Sequence, residues 1–197
     1  WNLPKKFGLG SPTGIELEGE LSGLLPTPEN KKKIFPGESW MLGDTFNASI
    51  GQGIDWQHDT AGYADELRGG RRRLPSAVSG RKLLNNDGSV YQMAEHAPAR
   101  NIGISMQTLR LIQNALEGVA EEGGTASYFA SLPKQIAAKT GTAENPQGDH
   151  GLFVAYGPAE NPELVVACIV EQGGFGTLAA GPIVYKVFEE WFRQEGL

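Results

Sequence analysis

The sequence predicts an α+β fold in which helices cover an antiparallel β-sheet. Three apolar segments with the length of strands follow one another closely, at residues 135–142, 152–156 and 164–170. The connections between them are too short for the crossover that parallel neighbours require, so these strands should run antiparallel. Segments with helical periodicity lie before and after this group, at 105–122 and 182–193. Helices are therefore expected to pack against the sheet.

The segment at 105–122 carries the clearest helix signal. Ser105 is a good N-cap residue, and the glycines at 123–124 should end the helix. Its apolar residues recur at helical spacing: they are Met106, Leu109, Ile112, Leu116 and Val119. The segment at 182–193 has a similar apolar stripe, made by Ile183, Val187, Phe188 and Trp191.

The first half of the chain is harder to interpret. Residues 1–53 are rich in Gly and Pro, which predicts loops with short strands or turns. Asp87 and Gly88 lie between two short apolar runs, and this pattern predicts a β-hairpin over 83–92. Residues 54–82 are polar and indicate no particular structure.

Composition and charge exclude several kinds of function. A net charge of −6 and an isoelectric point of 5.1 argue against nucleic-acid binding. Cys168 is the only cysteine, so the chain forms no internal disulfide and has no cysteine-based metal site, and the three histidines lack the spacing of zinc ligands. No apolar run approaches the roughly 18 residues that a membrane span needs. We therefore expect no cysteine-based or zinc site and no membrane span in this segment.

The tetrad Lys139, Thr140, Gly141 and Thr142 ends the first predicted strand. Side chains alternate along a strand, so Lys139 and Gly141 should share one face and the two threonines the other. Gly141 has no side chain, which lets a ligand backbone lie close to the strand. An ammonium group and hydroxyls suit a carboxylate, and a free strand edge can pair with an extended peptide. The tetrad therefore predicts a strand that binds a peptide carboxylate.

This tetrad and its flanks resemble the class B penicillin-binding proteins, and the elongation-type subgroup fits best. Lys-Thr-Gly is one of three motifs that penicillin-binding proteins share with serine β-lactamases. The similar segments appear in the family's order over most of the chain: 8–20, 40–53 with its Ser-Ile-Gly-Gln-Gly ending, 124–126, 139–144 and 150–158. The resemblance implies that residues 1–197 form a partial transpeptidase domain. Its β-lactamase/transpeptidase-like sheet would be incomplete at the N-terminal side.

The resemblance also implies a function and roles for single residues. Lys139 and Thr140 are similar to the motif residues that face the nucleophile and the substrate, with Gly141 between the threonines. Thr142 would bind the substrate carboxylate through its hydroxyl, and its backbone N–H would form half of an oxyanion hole. The parent protein would cross-link peptidoglycan stem peptides by serine acyl transfer, bind β-lactams and contact other cell-wall elongation proteins. It would act at the outer face of a bacterial cytoplasmic membrane, anchored through an N-terminal part.

Two motifs of that family are absent from the sequence in their expected form. The family's Ser-x-x-Lys and Ser-x-Asn motifs precede the segment that Trp1 begins, so the nucleophile is expected upstream. One literal match exists, from Ser131 to Lys134, but Pro133 lies inside it and it directly precedes a strand instead of starting a helix. We interpret this match as a coincidence. The isolated chain is therefore expected to be inactive.

Residues 54–73 depart from the family's pattern. The family continues after Ser-Ile-Gly-Gln-Gly with a helix, whereas this segment lacks an apolar stripe at helical spacing. One hypothesis is a local shift of the reading frame, and the alternative is a lineage-specific loop. Sequencing the DNA across codons 50–75 would decide between them.

Three other functions are considered. The run from Gly174 to Ala179 matches Gly-x-Gly-x-x-Ala between a strand and a helix, which is typical of dinucleotide sites, but no second strand follows to supply a ribose-binding acid. A non-catalytic module that binds peptidoglycan or a protein partner fits a chain without the serine motif. A β-lactamase or antibiotic sensor shares Lys-Thr-Gly, but the glycine-rich N-terminal segment argues against both.

Overall fold

The fold is known from a computed structural model, which describes residues 2–12, 22–52, 73–74, 82–93, 100–144 and 146–197. The helices are α1 (Asn2–Lys6), α2 (Pro28–Ile34), α3 (Leu42–Ser49), α4 (Met106–Ala120), α5 (Gly176–Ala179) and α6 (Gly181–Gln194), with a 3-10 helix at Ser127–Ser131. The strands are β1 (Arg73–Leu74), β2 (Lys82–Leu84), β3 (Val90–Met93), β4 (Arg100–Asn101), β5 (Ala137–Ala143), β6 (His150–Gly157) and β7 (Leu164–Val170).

The central feature is an antiparallel sheet in the order β5-β6-β7. All three predicted strands are confirmed: β7 has the predicted bounds, while β5 starts two residues later and ends one later than predicted. Strand β6 is longer than predicted at both ends, because Gly151 and Gly157 continue the ladder despite their weak strand propensity. Tertiary pairing here outweighs the local preference of glycine.

Helix α4 begins and ends where its sequence signals lie. The Ser105 hydroxyl accepts a hydrogen bond from the Thr108 N–H at 3.0 Å, which satisfies one free donor of the first turn. The helix ends at Ala120, and Gly123 then adopts a φ of +85°, a conformation that a residue with a side chain rarely enters. The predicted helix is therefore confirmed, and it ends two residues earlier than predicted.

The core lies on both faces of the sheet. On one face, Phe153 of β6 stacks on Phe129 with ring centroids 5.2 Å apart, and Phe188 of α6 meets the edge of Phe129. On the other face, α4 covers Ala137 and Tyr156, both of which are almost fully buried. This packing places the sheet between α4, which contacts β5, and α6, which contacts β6 and β7, as the predicted helix-covered sheet requires.

One local prediction, for residues 1–53, is corrected by the structure. Residues 1–53 were predicted as loops with short strands or turns, but the described part contains α1, α2 and α3. Each is only 5 to 8 residues long, so apolar periodicity could not reveal it. Capping stabilises α2 instead: the Asn30 N–H donates to the Thr27 hydroxyl at 3.2 Å, and Pro28 starts α2 with a suitable φ.

The hairpin prediction is confirmed, and one further prediction lies outside the described residues. Strands β2 and β3 pair antiparallel around Gly88, whose φ is +82°. The Asn85 N–H donates to the Ser89 carbonyl at 2.8 Å and closes the turn. The atypical segment 54–73 is not described except for Arg73, which pairs with Asn101. In the described ranges, no helix combines the length and apolar character that crossing a membrane requires.

A partly buried ion pair joins α2 to α3. The Lys31 Nζ lies 2.7 Å from an Asp44 carboxylate oxygen, and only 8% of Lys31 is exposed. The same carboxylate accepts the Met41 N–H at 2.6 Å and so caps the start of α3. The hydrogen bond from Lys31 holds the pKa of Asp44 below its ordinary value, and Asp44 in turn raises the pKa of Lys31.

We expect this pair to stabilise the fold across the neutral range. A lowered carboxyl pKa stabilises above the ordinary value of 3.8, and this contribution is lost as the pH falls through the folded-state pKa of Asp44. A raised Lys31 pKa stabilises fully below 10.5 and is lost as the pH rises through its folded-state value. Asp44→Asn should therefore lower the thermal unfolding midpoint at pH 7, and its difference from wild type should shrink below pH 3.8.

The control for this prediction is Glu38→Gln. The Glu38 carboxylate lies 3.6 Å from Lys31 and is 60% exposed, so its removal should change the midpoint little. Thermal unfolding followed from pH 3 to 9 makes the comparison. A difference between Asp44→Asn and wild type that stays constant down to pH 3 would contradict the prediction.

Candidate functional site

Strand β5 carries the predicted tetrad at an edge of the sheet. It pairs with β6 on one side, and among the described strands none pairs with its other side. Lys139 is exposed, whereas Thr140 and Thr142 are half-buried. The structure thus brings the four predicted residues together on one accessible strand.

Two side chains show which backbone groups point away from the sheet. The Lys139 Nζ donates to the Thr140 carbonyl at 2.6 Å, and the Gln52 Nε2 donates to the Thr142 carbonyl at 3.0 Å. In an antiparallel strand, the N–H and C=O of one residue point to the same side. The N–H groups of Thr140 and Thr142 therefore also line the outer edge of β5. This edge can accept one more strand, in the way that sheet edges bind extended peptides.

Gln52 was missed as a site residue by the sequence analysis. Its Ser-Ile-Gly-Gln-Gly run was noted only as a point of resemblance, and 90 residues separate it from Thr142. No spacing or periodicity signal joins two positions so distant in the sequence. The contact exists because the end of α3 is brought to the end of β5 by the fold.

Tyr156 lies on the same face of the sheet as Lys139, but its surroundings argue against a role as a base. Burial raises the pKa of Tyr156 to about 12, and the nearby Glu117 carboxylate adds to the shift. The hydroxyl is therefore protonated at neutral pH. Among the described residues it has no hydrogen-bond partner, so we assign Tyr156 to the core.

The glycine-rich run before α6 supports β5 from the opposite face. A Cβ built on Gly176 would collide with the backbone carbonyl oxygens of Leu152 and Gly141. The run therefore packs directly on the β5–β6 ladder, and the helix that it opens, α5, has only 4 residues. The strand before it, β7, pairs antiparallel with β6. This arrangement differs from the parallel unit of a dinucleotide site.

Gly176→Ala should disturb both stability and the site. Neither carbonyl is on a flexible side chain, so the run would have to move away from the sheet, at a cost of about 1–3 kcal/mol. The displacement would also reach Gly141 of the tetrad, so the β5 edge should be distorted together with the loss of stability. Gly118→Ala is the matched control: its Cβ would meet no atom within 4 Å, and inside a helix it should stabilise by about 0.5–1 kcal/mol. Equal unfolding midpoints for the two variants would contradict this prediction.

The literal Ser-x-x-Lys match does not form a catalytic pair. Ser131 ends the 3-10 helix, and its hydroxyl donates to the Tyr128 carbonyl at 2.8 Å and lies 3.0 Å from the Tyr185 hydroxyl. Lys134 is exposed in the segment that leads into β5. No helix begins at Ser131, which supports the interpretation of the match as a coincidence. Among the described residues, no cluster of His, Cys, Asp or Glu could hold a metal ion.

The fold and this edge together define a class: an α+β protein in which helices cover an antiparallel sheet whose edge strand presents an exposed lysine. The family model of the penicillin binding protein transpeptidase domain matches residues 2–189 of the sequence. The chain belongs to this transpeptidase family, and the resemblance seen in the sequence is confirmed.

Individual relatives narrow the similarity to the elongation-type enzymes. Peptidoglycan D,D-transpeptidase MrdA of Escherichia coli is 34% identical over 207 residues, covering 93% of this chain and 32% of that protein. A crystal structure of Pseudomonas aeruginosa PBP2 in complex with WCK 5153 is 28% identical with a TM-score of 0.74, over 95% of this chain and 42% of that one. A complex between PBP2 and MreC from Helicobacter pylori, 24% identical with a TM-score of 0.78 over 98% of this chain and 35% of that one, supports the fold alone. The chain thus spans about a third of the length of its curated relatives.

Proposed function

We propose that this chain supplies the Lys-Thr-Gly part of a peptidoglycan D,D-transpeptidase. The observation that carries the proposal is the outer edge of β5, which presents the Lys139 ammonium beside the backbone groups of Thr140 and Thr142. Several of its relatives are named peptidoglycan D,D-transpeptidase MrdA. The serine nucleophile and its lysine would lie in the part of the parent protein that corresponds to the portion of those relatives not covered by this chain.

In this proposal the edge of β5 binds the stem peptide as an added strand. The Thr140 and Thr142 backbone groups pair with the peptide main chain, and Gly141 leaves the strand surface open to it. Lys139 brings a positive charge to the terminal carboxylate of a D-alanyl-D-alanine peptide, and the Thr142 hydroxyl donates a hydrogen bond to the same carboxylate.

The chemistry is acyl transfer through the serine. The serine oxygen attacks the carbonyl carbon of the penultimate D-alanine, and the carbonyl oxygen becomes an oxyanion to which the Thr142 N–H donates. The terminal D-alanine leaves with a proton, and the amine of a neighbouring stem peptide then displaces the serine from the acyl-enzyme. A β-lactam acylates the same serine when its ring amide opens. These steps use no cofactor.

The relatives also suggest where this reaction takes place and with which partners. Peptidoglycan lies outside the cytoplasm, so the domain would act at the outer face of a bacterial cytoplasmic membrane. The parent protein would be held there through an N-terminal anchor. The Helicobacter pylori structure is a complex of PBP2 with MreC, and the parent protein would likewise contact other cell-wall elongation proteins.

Labelling with a fluorescent penicillin tests this function. The full-length parent protein should form a covalent adduct on the serine of an upstream Ser-x-x-Lys motif, located by mass spectrometry of the digested protein. The isolated 197-residue chain should form none. An unlabelled full-length protein would instead support a non-catalytic module, and an adduct on the isolated chain would contradict the proposed location of the nucleophile.

A further inference from the structure

The hydrogen bond between Gln52 and Thr142 has no role in the function proposed above. The Gln52 side chain, half-buried, donates to the carbonyl of Thr142 at 3.0 Å. Thr142 is the residue whose N–H we place in the oxyanion hole, and its carbonyl lies on the same outer edge of β5. A hydrogen bond to this carbonyl acts on the backbone of the oxyanion residue without touching the substrate.

The backbone of Gln52 is itself firmly held. Its N–H donates to the Asn47 carbonyl at 2.8 Å, and the Gly51 N–H donates to the Ala48 carbonyl at 3.2 Å. With Gly51 at a φ of +78°, these two bonds form the Schellman motif that closes many helices. The Gln52 amide is therefore carried on the rigid end of α3, not on a free loop.

Helix α3 is in turn fixed to α2 at its other end. The partly buried pair of Lys31 and Asp44 joins the two helices, and the Asp44 carboxylate also caps α3. The chain of contacts thus runs from α2 through α3 and Gln52 to Thr142. A donor mounted in this way can define the orientation of the peptide groups around Thr142, which β6 contacts only from the opposite side.

We infer that Gln52 is a positioning residue that holds Thr142 in the geometry needed for the oxyanion hole. The inference rests on the proposed function. Residue 142 is next to the last residue of β5, where a strand end is prone to fray, and its outward groups receive no support from the β5–β6 ladder. The Gln52 hydrogen bond supplies that support. It also occupies the Thr142 carbonyl, so that a bound peptide pairs with the Thr142 N–H at this position.

The test measures penicillin acylation of the full-length parent protein. Gln52→Ala should lower the second-order acylation rate constant by about 10-fold, less than the 10²–10³-fold cost of deleting an oxyanion donor, because the donor is retained but less well aligned. Thermal unfolding midpoints show whether the variant is folded. Gln107→Ala, on the exposed face of α4, should acylate like wild type.

A pH profile of Gln52→Glu separates positioning from general stability. The ionised carboxylate cannot donate to the Thr142 carbonyl, whereas the protonated acid can and has nearly the same shape. The acylation rate constant of Gln52→Glu, divided by that of wild type at the same pH, should therefore be low at pH 8 and rise as the pH falls toward 5. A merely structural role would give a ratio that does not change with pH.

The outcomes separate this inference from the function on which it rests. If penicillin did not label the full-length wild-type protein, the proposed function would be overturned. A labelled wild type with Gln52→Ala at the wild-type rate, or with a flat Gln52→Glu ratio, would overturn only the role of Gln52. A 10-fold loss in Gln52→Ala together with recovery of Gln52→Glu at low pH supports that role.

Discussion

Lys139→Ala is expected to lower the rate of penicillin acylation of the full-length protein by about 100-fold or more. In the proposed function, the substitution removes the positive charge that the β5 edge presents to the substrate carboxylate and to the reacting serine. Loss of one stabilising group from an acyl-transfer site typically costs about 10²–10³-fold. Lys139→Arg keeps the charge but not the compact ammonium geometry, so it should recover only part of the rate. Stopped-flow or gel-based labelling with a fluorescent penicillin measures both variants.

The matched control is Lys134→Ala. Lys134 is exposed and lies five positions before Lys139 on the segment leading into the same strand, so its loss should leave acylation unchanged. If Lys139→Ala were labelled at the wild-type rate and unfolded at the wild-type midpoint, the tetrad would not be part of the site.

Phe188→Ala is expected to lower the free energy of unfolding of the transpeptidase domain by about 3–5 kcal/mol. Phe188 is fully buried, and its ring contacts Phe129, Trp191 and Phe192 at centroid distances of 6.5, 6.3 and 6.3 Å. Truncation would leave a cavity between α6 and the sheet, because the surrounding rings cannot collapse to fill it. Urea unfolding of the full-length protein, followed by tryptophan fluorescence, measures the loss.

Ile183→Ala provides the comparison on the same helix. Ile183 is 49% exposed, so its truncation should cost about 1 kcal/mol or less. If the two variants unfolded at the same urea concentration, α6 would not pack on the sheet through Phe188, and the described core would be wrong.

The elements that were predicted well have signals confined to a few neighbouring residues. Ser105, the apolar stripe behind it and Gly123 together define α4, and the continuous apolar run of β7 sets that strand's bounds. Helix α3 has no such signal: Met41, Leu42 and Phe46 all remain more than 60% exposed in the described structure. A two-turn helix fixed by one carboxylate cap and one ion pair leaves almost no periodic trace in the sequence.

The sequence by itself determined the fold class, the tetrad from Lys139 to Thr142 and its family, because strand alternation, capping and motif order depend on residues close together in the chain. Only the tertiary structure decided which backbone groups of β5 point outward and that Gln52 reaches Thr142. It also decided that Gly176 packs on the ladder at Gly141. Those contacts join residues tens of positions apart, and their geometry is set by how α3, β5 and the run before α6 pack against each other.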